Sequence, residues 1–120
     1  MPDYSGQERR RSPRVNKNFV VSYRIYGDPD DIDISQTRNI SEGGILLTTN
    51  RAFDAGTILA IEIRLPFISQ PIRLLGKVLE SREIARNLIY ETRLVFTYMD
   101  DQSKTMVKNT VNYFSKKDSR

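Results

Sequence analysis

Along the chain the apolar positions pass from no rhythm, to period two, to helical spacing. Residues 1–16 are polar, hold Pro2, Gly6 and Pro13, and show no hydrophobic period. A stretch of this kind buries too little to fold by itself and is expected to be flexible. From Phe19 the alternation is strict. Phe19, Val21, Tyr23 and Ile25 share one strand face, and Val20, Ser22, Arg24 and Tyr26 share the other. Residues 27–31 (GDPDD) are turn chemistry, and residues 32–40 read as a second strand, polar on one side. NISEGG (39–44) ends that strand, and Ile45, Leu46 and Leu47 open a short third one that stops near Asn50.

After a turn at 54–56, Leu59, Ile61, Ile63 and Leu65 alternate with Ala60, Glu62 and Arg64, a half-buried strand. Residues 66–71 form a loop. Residues 72–82 make a long strand in which Gly76 permits a bend or bulge. A turn at 84–88 leads to a last strand with Tyr90, Thr92, Leu94, Phe96 and Tyr98 on one face. Then the period changes. Met106, Val107, Thr110, Val111 and Phe114 recur at helical spacing, which predicts a helix over about 101–116. Asp100 or Asp101 can cap its start, and Lys116 and Lys117 suit the negative end of its dipole.

Six short strands followed by one helix predict an all-β fold, a small antiparallel barrel or sandwich with a C-terminal α-helix. Closure into a barrel removes exposed strand edges. The chain divides into an N-terminal segment, 1–16, and a folded unit, 17–116. At 120 residues it has the size of one domain.

Composition narrows the function. The sequence has neither cysteine nor histidine. Disulfides, thiolate metal sites and thiol nucleophiles are excluded, and the usual general base near neutral pH is missing. An enzyme is not expected, and no cofactor is called for. The net charge of +4 favours anionic ligands. Acidic residues are interspersed with the basic ones, so no continuous basic stripe marks a nucleic-acid binder, and Tyr23, Tyr26 and Tyr90 form no clustered stacking platform. No apolar run approaches the roughly 20 residues of a membrane span. The polar start MPDYSGQE is unlike a secretory signal, and a cytoplasmic location is expected.

Two short motifs carry the candidate chemistry. Asn39 and Ser41 lie two apart at a strand end and should point to the same side, with Ile40 turned to the core. Glu42, Gly43 and Gly44 follow, and a glycine pair lets the chain turn through positive φ beside a planar ligand. Alone, this is most simply a hairpin whose Asn and Ser satisfy their own backbone. RRRSPR at 9–14 places Arg10 and Arg14 four apart, and Pro13 disfavours helix at Ser12. Guanidinium forks can grip the guanine O6/N7 edge or a phosphate. Alone, this is most simply a solvated basic tail.

Together, Arg10-x-x-x-Arg14 and Asn39-x-Ser41-x-x-Gly44 resemble the PilZ domain family of bacterial cyclic di-GMP receptors. IEIRLP, GKV at 76–78 and LVF at 94–96 look like that family's later strands, so the likeness runs over about residues 8–115. The resemblance implies a six-stranded antiparallel β-barrel, with the arginine segment before the first strand and the Asn-Ser-Gly turn between the second and third. It implies that Arg10 and Arg14 anchor guanine and phosphate. Asn39, Ser41, Gly43 and Gly44 would form the opposing wall. Arg9 precedes the first motif arginine, a position the family links to binding one ligand or a stacked pair, and a cation there tilts the expectation to the pair.

The sequence departs from the family in two places. Arg93 stands where the family often has glycine, and it could add an anion contact, point outward or obstruct a base. Asn39 replaces the commoner aspartate and would accept from guanine without charge assistance. Fixing the arginine segment on a ligand costs about 1–2 kcal/mol per residue, which calls for several strong contacts. The implied role is a receptor or adaptor that changes surface on binding and regulates a partner protein. The alternatives are a degenerate PilZ-like interaction module that binds no nucleotide, and a small basic barrel that binds nucleic acid.

Overall fold

The computed structural model describes residues 14–118. Six strands close into one antiparallel barrel: β1 Val20–Ile25, β2 Asp33–Ile40, β3 Gly44–Thr49, β4 Ile58–Ile63, β5 Ile72–Ala85 and β6 Ile89–Tyr98. Around the barrel they run β1-β2-β3-β6-β5-β4, with β4 returning to pair with β1. A helix, α1, Asp101–Asp118, follows directly.

The period-two pattern becomes the barrel interior. Val21 and Tyr23 of β1, Ile45 and Leu47 of β3, Leu59, Ile61 and Ile63 of β4, Ile72, Leu74 and Val78 of β5 and Leu94 of β6 are all buried. Each such side chain contributes roughly 1.5–3 kcal/mol by leaving water. Buried hydroxyls are satisfied within the wall. Thr49 and Thr92 share a hydrogen bond at 2.9 Å, and Thr92 and Ser81 share another at 2.6 Å. Burial is the largest influence on the Tyr23 phenol and pushes its pKa up; Asp33 nearby adds to this, while a backbone bond from Asn50 opposes it.

Some boundaries differ from the sequence expectation. β5 runs to Ala85 rather than to 82, because cross-strand bonds hold the hairpin beyond the core. Arg82 reaches Glu91 at 3.1 Å, and the Asn87 amide donates to Glu83 at 2.8 Å. Gly76 marks a register shift, as its sequence position suggested, and further shifts follow at 78/80 and 83/85. The inward row of β6 holds for Thr92 and Leu94, but Tyr90 and Phe96 are only half-buried and Tyr98 is exposed. The helix lies against the barrel as its stripe requires. Val107 and Val111 are fully buried, and the Phe114 ring sits 5.8 Å from that of Phe19. At its start the Asp100 carboxylate accepts from the Ser103 amide at 2.7 Å, the cap expected there.

The N-terminal boundary is sharper than hydropathy suggested. Val15 is 1% exposed and pairs with Ile40 through both backbone bonds, at 2.9 and 3.1 Å. Val15 therefore packs into the barrel from inside the segment bounded as 1–16, of which residues 1–13 fall outside the described residues.

Candidate functional site

The second strand organises the site. Thr37 is buried in β2, where its hydroxyl donates to the Lys17 carbonyl at 2.6 Å and accepts from the Phe19 amide at 3.0 Å. The Val15–Ile40 bridge continues the same line. Together they lay residues 15–19 along β2 and deliver Arg14 to the start of the β2–β3 turn. There Arg14 Nη1 donates to Asn39 Oδ1 at 3.0 Å, across 25 residues of chain. The second arginine of the first motif thus meets the first residue of the second motif. Arg9 and Arg10 lie outside the described residues. Sequence reading missed Val15 and Thr37. Val15 is a lone apolar residue in a polar run, and its spacing of four from Phe19 was the available signal. Thr37 gave none.

The turn itself corrects two expectations. Ser41 was expected beside Asn39 on the outer surface, but it is 4% exposed. Its hydroxyl oxygen accepts from the Gly43 and Gly44 amides at 3.3 and 3.2 Å, closing the turn on itself. Its own proton is weakly held, with the Gly44 carbonyl 3.5 Å away. The glycine pair was expected to turn through positive φ. Among the described residues the glycines with positive φ are Gly27 and Gly56 instead. Gly44 is required for a different reason: a Cβ there would collide with the Leu94 carbonyl oxygen of β6. Gly43 is exposed, with open space where a Cβ would stand, and its carbonyl accepts from the Phe96 amide at 3.0 Å.

Arg93 joins the same face. The strand register sets Asn39 opposite Leu46, Leu46 opposite Arg93, and Arg93 opposite Glu80. Thr92 and Leu94 point inward, so Arg93 points out, about 10 Å from Asn39 at two strand spacings. Its guanidinium lies 3.9 Å from the Glu80 carboxylate, and Arg38 lies 3.8 Å from Glu91. Arg14 differs from these two: its partner is a neutral amide, and no carboxylate pairs with it among the described residues. Beside the turn, Glu42, Gly43, Phe96, Met99 and Lys104 border a cleft of about 420 Å³. The face can therefore offer cations and one amide to a flat anion. Among the described residues no group of three metal-ligating side chains comes together.

The architecture and the paired motifs can be set against known proteins. The PilZ domain family model matches residues 8–112. This chain belongs to the PilZ domain family. Among solved structures, the Bacillus subtilis inhibitor of motility (MotI/DgrA) superposes with a TM-score of 0.78 at 19% identity, covering 93% of this PilZ chain and 54% of that chain. The present chain thus spans about half the length of that protein. The PilZ domain with c-di-GMP of YcgR from Escherichia coli gives 0.65 at 12% identity, covering 92% and 94%. The K. pneumonia MrkH–c-di-GMP complex gives 0.69 at 13%, covering 93% and 54%. No curated protein matches the sequence. The barrel with its C-terminal helix is the PilZ fold, as the sequence resemblance implied. Among the described residues no helix is long and apolar enough to cross a membrane.

Proposed function

We propose that this chain is a cyclic di-GMP receptor, with Arg10 and Arg14 as principal anchors and Asn39, Ser41, Gly43 and Gly44 as the opposing wall. The observation that carries this reading is the 3.0 Å hydrogen bond from Arg14 to Asn39. It means that the two motifs can act on one ligand. The Asn39 carbonyl orients the Arg14 fork, and among the described residues no carboxylate compensates its charge. Ser41 acts chiefly by holding the turn, and its loosely held proton is free to turn to a phosphate oxygen. Gly43 offers an unobstructed surface for a purine. Arg93, one strand beyond Leu46, adds a cation once it leaves Glu80, and Arg9 supplies another on the arginine segment. A stacked pair of ligands, with four phosphates, suits that many cations.

The output is an altered surface that a partner protein reads, so the chain works as a non-catalytic adaptor in the bacterial cytoplasm. Calorimetric titration with cyclic di-GMP, with GTP as control, tests the reading and gives the stoichiometry. Arg14→Ala should weaken binding about ten-fold to a hundred-fold, since one bidentate arginine–guanine pair is worth roughly 1–3 kcal/mol. Unchanged affinity in that variant would remove the arginine mechanism.

One observation favours the second reading, a PilZ-like interaction module that binds no nucleotide. The Ser41 oxygen is fully engaged by its own turn. A flat titration for the unaltered protein would select that reading.

A further inference from the structure

On the opposite side of the barrel from Asn39 and Arg93, the outer face of β1, β4 and β5 holds a trough of about 580 Å³. The register explains its shape. Arg24 stands beside Ala60, Ala60 beside Leu75, and Leu75 beside Tyr98. A single small side chain between longer neighbours leaves a depression, with Ala60 as its floor. Tyr26 and Ile32 wall the β1 side, and Leu75 and Tyr98 wall the other. Tyr26, Ile32 and Tyr98 are 60%, 57% and 61% exposed, so among the described residues nothing covers this apolar surface.

The charges in the trough are unequal. Arg73 is held by Glu62 at 2.8 Å, which closes that ion pair at one end. Arg24 has no side-chain partner among the described residues, although it is half-buried. A trough of ligand size, with apolar and aromatic walls and one convergent unpaired cation, is the usual form of a small-molecule site. A single free guanidinium asks for a single carboxylate, which it can hold in bidentate fashion. Two tyrosines flanking a shallow floor suit a flat ring, stacked or edge-on.

We propose that this trough is a second binding site, for a small flat aromatic molecule bearing one carboxylate. Arg24 grips the carboxylate, and the ring lies over Ala60 between the Tyr26–Ile32 and Leu75–Tyr98 walls. The site shares β6 with the arginine–hairpin face through Tyr98 but places its floor and its cation on β4 and β1, and it stands or falls separately from the cyclic di-GMP reading.

The test is an NMR titration of the full chain with naphthoate, with naphthalenemethanol as the uncharged control. Naphthoate should shift the amides of Arg24, Ala60, Leu75 and Tyr98 and leave residues 39–44 still, with a dissociation constant on the order of 1 mM or tighter for a probe of this size. The alcohol should bind several-fold more weakly. Arg24→Gln should weaken naphthoate by about ten-fold, because a neutral amide cannot give the carboxylate a charge-assisted hydrogen bond. Ala60→Leu should abolish binding by filling the floor, while the other amides stay in place. No shift at the four amides up to about 10 mM would overturn the proposal. So would equal binding of acid and alcohol, or shifts confined to residues 39–44.

Discussion

The barrel has two contrasting hairpins, one tight and one long. The β2–β3 turn is closed by Ser41, which takes two backbone amides, and is pressed so closely on β6 that Gly44 has no room for a side chain. The β5–β6 hairpin extends past the core, slips register at 78/80 and 83/85, and leaves Ile84, Leu88 and Ile89 exposed. Its tip is held by an exposed bond from Asn87, at φ 60°, to Glu83. The first hairpin is fixed by packing and buried hydrogen bonds, the second by solvated contacts. The difference teaches where precision is needed. The tight hairpin, pre-set by the fold, is the one that carries the Asn39–Gly44 motif.

The largest expected effect is at the tight turn. Gly44→Ala must push β3 away from the Leu94 carbonyl, a backbone atom that cannot swing aside. It should lower stability by about 1–3 kcal/mol, read from urea unfolding, and weaken cyclic di-GMP binding with it. An unaltered midpoint would show that the two strands are not so tightly apposed.

Ser41→Ala comes next. It leaves the Gly43 and Gly44 amides without their side-chain acceptor, at a cost of about 1–2 kcal/mol. Faster hydrogen exchange at those two amides is the expected signature. Full protection would mean that the hydroxyl is dispensable to the turn.

The same local device recurs at the helix start, where Asp100 accepts from Ser103. The backbone and side-chain hydrogen bonds of Ser103 hold the Asp100 pKa below its ordinary 3.8. A depressed folded value means stabilisation that is present above the unfolded pKa and is lost as pH falls through the folded one. Asp100→Asn keeps a capping oxygen without a titrating charge, so its melting temperature should fall less steeply on acidification below about pH 4 than that of the unaltered protein. Parallel acid limbs would show that the cap carries no pH dependence.

The smallest effect belongs to the long hairpin. Glu83→Ala removes an exposed bond and should change stability by less than about 0.5 kcal/mol, with cyclic di-GMP affinity unchanged by calorimetry. A large loss there would erase the contrast between the two turns.

Much of this molecule was legible in its sequence. Strict alternation separated the two faces of β1 and identified the buried face of β4, since a one-residue slip would turn every core side chain to solvent. Helical spacing from Met106 to Phe114 identified the stripe that packs on the barrel. The ends of β5 and the outward drift of Tyr98 were not legible, because they depend on bulges set by partner strands. Val15 escaped notice because one apolar residue makes no period.

The sequence by itself determined the order of elements, the alternating faces of β1 and β4 and the two motifs, because periodicity and turn chemistry act over a few neighbouring residues. Only the tertiary structure decided that Arg14 meets Asn39, that Ser41 is buried and that Gly44 is bare for the sake of β6. Each of these depends on which segments lie side by side in the folded barrel, and no short-range pattern in the sequence fixes that.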